Sequence, residues 1–139
     1  SPWRRSVYLF QRRVYHLTMQ GVFDQPTVAG SVCRRNASAV ALQSLSMLND
    51  GLALEQADQF AHRVWHQAES SSAKRIRLAF RIALTRPPDE QETRWSAELL
   101  QQHTSRYRKN GSTDVEAARK ALMHLCRVLF NSSEFLYVE

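Results

Sequence analysis

From Ala37 onward the sequence is ruled by one feature, an apolar stripe of helical period that is cut four times by strong breakers. Leu54, Ala57, Phe60 or Ala61, Val64, Trp65 and Ala68 recur every three to four residues, the spacing that places side chains on one face of an α-helix. The same rhythm runs through Val40, Leu42, Leu45, Met47 and Leu48, and again through Ile76, Ala79, Phe80, Ala83 and Leu84. It resumes in Trp95, Leu99, Leu100 and His103, and finally in Val115, Ala118, Leu122, Leu125, Cys126 and Leu129. Asp50-Gly51, Ser70-Ser71-Ser72, Arg86-Pro87-Pro88 and Asn110-Gly111-Ser112 punctuate these stripes. The pattern predicts five helices joined by short loops, and hence an antiparallel helical bundle in a mainly α fold.

The breakers also say how each helix begins and stops. Asp50 is a predicted N-cap for a helix over about 51–69. Proline disfavours helical geometry in the residue before it and lacks an N–H, so Arg86-Pro87-Pro88 ends the helix over about 73–85. Asp89 with Glu92 three residues on has the form of a capping box, Asp114 is expected to open the fifth helix, and Glu134 is a candidate cap for the final turn. The apolar tail through Phe135 and Leu136 is expected to dock on the core.

The first 36 residues read differently. Gly21, Pro26 and Gly30 predict a long ordered loop, with Phe23-Asp24-Gln25-Pro26 as a pinned turn. Residues 5–15 fit an extended strand and a short helix alike: Val7, Leu9 and Gln11 alternate with Tyr8, Phe10 and Arg12, while Val7, Phe10 and Val14 share a helix face. Charge sets this region apart. Residues 1–35 carry six arginines against Asp24 alone, and so hold +5 of the net +6 of the 139-residue chain. Arginine's planar fork suits carboxylate and phosphate. The excess therefore fits pairing within the protein, an upstream domain, or an acidic partner such as an anionic glycan or a protein. On this reading the chain is one helical domain with a basic segment and loop at 1–36 and a bundle at 37–139. Ser1-Pro2-Trp3-Arg4-Arg5 reads as an internal cut rather than an export signal, and no stretch approaches the length of a membrane span.

Motifs that carry chemistry are sparse. His62 and His66 share a helix face, yet the sequence His-Arg-Val-Trp-His lacks the glutamate of a metalloprotease helix and offers no further ligand, so two surface histidines and no metal are expected. Neither Cys33 nor Cys126 lies in a paired-cysteine motif; a Cys33–Cys126 disulfide and two free thiols both remain open. No nucleophile elbow and no glycine-rich phosphate loop occur. Tyr8, Phe10 and Tyr15 among arginines could stack on bases, but no helix-turn-helix or other nucleic-acid motif accompanies them.

One set of motifs does recur as an ordered group: Arg4-Arg5-Ser6-Val7-Tyr8, Phe23-Asp24-x-Pro26, Cys33-Arg34-Arg35, Leu42-Gln43-Ser44-Leu45-x-Met47-Leu48-Asn49-Asp50, Arg86-Pro87-Pro88 and Asn131 to Val138. In these the chain resembles the planctomycete-associated C-terminal domain, domain-of-unknown-function family 1553. The resemblance implies the end of a large, exported, extracytoplasmic multidomain protein, whose upstream part often includes a cytochrome-c-like domain with its own haem. No CxxCH haem-attachment motif occurs in this sequence, so no haem or other cofactor is expected in it, and the resemblance brings no catalytic residues. The expected role is a non-catalytic structural and interaction module facing upstream domains of its parent. Arg5, Tyr8, Arg13, Phe23, Asp24, Arg34, Arg35, Gln43 and Asn49 are candidates for a polar network or interface, with Phe23, Asp24, Arg34, Arg35 and Gln43 clustered. Two alternatives stand beside this: a share in the site of a polysaccharide-directed hydrolytic or redox enzyme, lined by Asp24, Arg13 and Arg35, and a nucleic-acid-binding helical domain.

Overall fold

A computed structural model describes residues 8, 18–26, 33, 41–68 and 71–137. These residues form helices and connecting turns, with no strand among them. The helices are α1 (Thr18–Val22), α2 (Ala41–Asn49), α3 (Gly51–Gln67), α4 (Ser72–Leu84), α5 (Glu90–Lys109), α6 (Asp114–Phe130) and α7 (Ser133–Leu136). The chain divides into two compact units, Ser1–Ser46 and Met47–Glu139. Residues 5–15 lie outside the described residues, apart from Tyr8.

In the second unit the stripes of α3, α4 and α6 close on one another. Ala57, Phe60, Ala61 and Val64 meet Ile76, Ala79 and Phe80, and Leu122, Leu125, Cys126 and Leu129 complete the core. Five alanines, at 57, 61, 79, 117 and 121, are wholly buried. A methyl side chain lets helix backbones approach closely, while the bulk of the interior comes from the phenylalanines and leucines between them. Phe130 stacks on Phe60 at 5.4 Å and meets Phe135 of α7 at 4.9 Å, so the tail docks on the core as expected.

Helix ends follow the breakers. The Asp50 carboxylate accepts from the Leu52 N–H at 2.8 Å. Asp89 and Glu92 form a reciprocal capping box at 2.7 and 2.8 Å. At α6, Asp114 is the first helical residue, as expected; Thr113 is the cap and accepts from the Glu116 N–H, while Glu116 reaches back to the Thr113 N–H. Gly111 takes a φ of +87°, the left-handed geometry that closes α5. Thr85 does the same for α4 at +59°. Replacing Asp89 with alanine is expected to lower unfolding stability by about 1 kcal/mol, because an orphan helix N–H loses its acceptor. Urea titration of the variant measures this.

Five apolar positions break the predicted pattern: Leu42, Leu45, Leu48, Trp95 and Val115. Trp95 is 58% exposed and Val115 is also exposed, so each sits at the margin of its stripe rather than in the core. On α2 the expected apolar face is turned out, with Leu42 54% exposed, while Gln43 is 2% exposed. Its burial has a polar cause, described next.

Candidate functional site

The first unit builds its polar centre around a turn. α1 is only five residues long, so its last carbonyls lack partners within the helix. The chain then reverses through Phe23 and Asp24, with the Asp24 N–H donating to the Gly21 carbonyl and the Gln25 N–H to the Gln20 carbonyl at 3.3 and 3.0 Å. Asp24 holds a φ of +57°, which a short polar side chain tolerates better than an apolar one. The buried Gln43 amide donates to the Val22 carbonyl at 3.1 Å. A glutamine is therefore buried on α2 because it satisfies the open end of α1.

Of the residues singled out from the sequence, the structure thus brings Gln43 to the residue preceding Phe23 and Asp24. Tyr8 is exposed, and Asn49 is exposed at the end of α2. Arg5, Arg13, Arg34 and Arg35 lie outside the described residues, as does any pairing of Asp24 with them. Cys33 is an exposed free thiol and Cys126 a buried one. Burial pushes the Cys126 thiol up to about 12, because an apolar interior disfavours thiolate.

The second unit holds a charged cluster that sequence spacing did not disclose. Arg86, just past α4, places its guanidinium between two carboxylates. It donates to Glu92 through both terminal nitrogens at 2.7 Å. It donates to Glu134 through Nε at 2.8 Å and a terminal nitrogen at 2.7 Å. A further bond runs to the Pro87 carbonyl at 3.2 Å. Hydrogen bonds to Glu92 and then Glu134 raise the Arg86 pKa, and the same bonds hold both carboxyls below their ordinary range. Glu134 is therefore the anchor of α7 and not its cap. Arg86-Pro87-Pro88 stops α4 and also ties the start of α5 and the final turn to that stop.

Beside this cluster an open groove of about 250 Å³ is lined by Phe80, Leu84, Trp95, Leu99, Leu125 and Val128. Trp95, though 58% exposed, is one of the residues that line this groove. At the far end of the α5–α6 hairpin Tyr107 Oη lies 2.7 Å from His124 Nε2, and His103 stacks on His124 at 4.3 Å. Burial first, then repulsion from His103, Arg127 and Arg106, lowers the His124 pKa. The Tyr107 hydroxyl and His124 Nε2 share one hydrogen bond, its direction set by the imidazole tautomer. Lys120 adds a further cation 5.5 Å from the Tyr107 ring. Because the unfolded chain binds the proton more readily, stability is full above about pH 6.5 and falls as pH drops below it. His124→Gln should flatten that slope in thermal unfolding followed from pH 8 to pH 5.

Arg127 supplies another contact missed from sequence: it donates to the Leu48 carbonyl at 2.9 Å, satisfying a carbonyl in the last turn of α2. Among the described residues no group of three or more histidine, cysteine, aspartate or glutamate side chains is arranged to hold a metal ion.

The described residues of the second unit form a helical bundle with an alanine-containing core, capped helix ends and an arginine–carboxylate cluster. The model of the family described as PSD1, protein of unknown function (DUF1553), matches residues 1–100, and the chain belongs to that family. No curated protein and no solved structure matches it.

Proposed function

We propose that the chain is a non-catalytic structural and interaction module at the C-terminal end of a large, exported multidomain protein of planctomycete type. The observation that carries the non-catalytic half is the saturation of Arg86. Its two terminal nitrogens and Nε are all engaged by Glu92 and Glu134, so the strongest charge cluster in the second unit joins helix ends. Asp89, Thr113, Gln43 and Arg127 spend their polar atoms in the same way on open helix termini. The interaction half rests on the +5 charge of residues 1–35, all of it arginine, which suits an acidic face on an upstream domain of the parent.

The test is association of this chain with the separately produced upstream part of its parent, followed by calorimetry. Arg34→Glu with Arg35→Glu should weaken the complex tenfold or more, and salt should weaken the native complex. An unaltered affinity in the charge-reversed variant, or no association at low salt, rejects the reading. Steeply salt-dependent binding of DNA by this chain would instead favour a nucleic-acid partner.

A further inference from the structure

Helix α3 presents two imidazoles on its solvent side. His62 and His66 are one turn apart, so they project from the same face. The opposite face is fixed by buried Ala57, Phe60, Ala61 and Val64, which leaves the helix little freedom to rotate. Both histidines are exposed, and their Nε2 atoms stand 3.1 Å apart. The rings are 4.3 Å between centroids and tilted by 52°, so they converge at their Nε2 edges without stacking flat.

Two imidazole nitrogens held this way can share a proton or share a cation. Zinc–imidazole bonds are about 2.0–2.1 Å long, so two of them spanning this gap enclose an angle of about 95–102°. That lies between the right angle of tetragonal coordination and the wider angle of a tetrahedral site, and either geometry is reached by small ring rotations. The surroundings favour a cation. His66 lies in the last turn of α3, at the negative end of the helix dipole. Asp58 lies one turn before His62, with its carboxylate 3.9 Å from Arg119. The nearest cation in sequence, Arg63, directs its Nε to the Gln67 side-chain oxygen at 3.4 Å.

We propose that His62 and His66 form a bidentate surface site for a late first-row divalent cation, with Nε2 of each ring as ligand and Nδ1 keeping its proton. Among the described residues no third histidine, cysteine, aspartate or glutamate completes the set, so water fills the other positions and they remain exchangeable. Neutral imidazole selects copper, nickel and zinc ions over calcium or magnesium, and the ordinary affinity order places Cu²⁺ first.

The experiment is titration of the whole chain with Cu²⁺ alone, followed by calorimetry and by electron paramagnetic resonance, then repeated with Zn²⁺. One Cu²⁺ with two imidazole nitrogens in its coordination sphere is expected, with Zn²⁺ weaker and excess Mg²⁺ without effect. His62→Ala and His66→Ala should each weaken binding about 100-fold, since the second ligand no longer acts at high effective concentration. Both side chains are exposed, so circular dichroism should show unchanged helix content. Copper bound equally well by the double variant means that the ion sits elsewhere and overturns the proposal. A single imidazole nitrogen in the wild-type spectrum overturns it without recourse to any variant.

Discussion

Truncation of Leu122 to alanine should lower the unfolding free energy by about 3 kcal/mol, near the middle of the range for buried leucines. Leu122 is 1% exposed and belongs to the core formed with α3 and α4. That core also holds Phe60, Val64, Ile76, Phe80, Leu125 and Leu129, with alanines at 57, 61 and 79 between them. Close-packed neighbours relax only partly into the vacated space, so most of the cost of the cavity is kept. Chemical denaturation should show a lower midpoint with an unchanged slope, and thermal unfolding should shift by about 10 °C. Val115→Ala on the same helix is the control. Val115 is exposed, and its loss should change stability by less than about 0.5 kcal/mol. A Leu122→Ala effect no larger than that of the control would refute the core assignment.

Removing the Arg86 side chain should lower stability by about 1–2 kcal/mol, a figure reduced from that of a buried charge cluster because the guanidinium is partly exposed. The change leaves Glu92 and Glu134 without their shared cation. It also removes the pH dependence that they confer. In the native protein both carboxyls titrate below their usual range, so their contribution is full above about pH 4.5 and disappears as pH falls through the lowered values. Thermal unfolding from pH 7 to pH 3 should therefore fall steeply for the native chain and less steeply for Arg86→Ala. Arg86→Lys should rescue only part of the loss, since an ammonium cannot bridge two carboxylates with a planar fork. Parallel pH curves for native chain and variant would show that the cluster does not hold the fold.

These two sites mark what sequence reading can and cannot reach. Leu122 was legible because it lies on a periodic stripe in a helix bounded by clear breakers, and the same logic located the Asp89–Glu92 box. Arg86 was legible only as a stop signal. Its partnership with Glu134 spans 48 positions, and periodicity carries no information on which distant side chains a loop will bring together. Gln43 was legible as a member of a recurring motif, while its task of closing α1 was not. Trp95 was misplaced because a stripe gives a direction around the helix and not how far the neighbouring helix extends. The spacing of His62 and His66 puts them on one face of α3 but says nothing of ring orientation, and it is the rotamers of the folded helix that bring the two Nε2 atoms to 3.1 Å.

The deep placement of Cys126 makes it a reporter built into the chain. A thiol inside packed side chains, with ionisation displaced to about 12, reacts with alkylating reagents only when the surrounding helices part. Its modification rate should consequently track opening of the whole second unit, slowing with every stabilising change and quickening in Leu122→Ala, while the solvent-facing Cys33 reacts at once and serves as the internal standard.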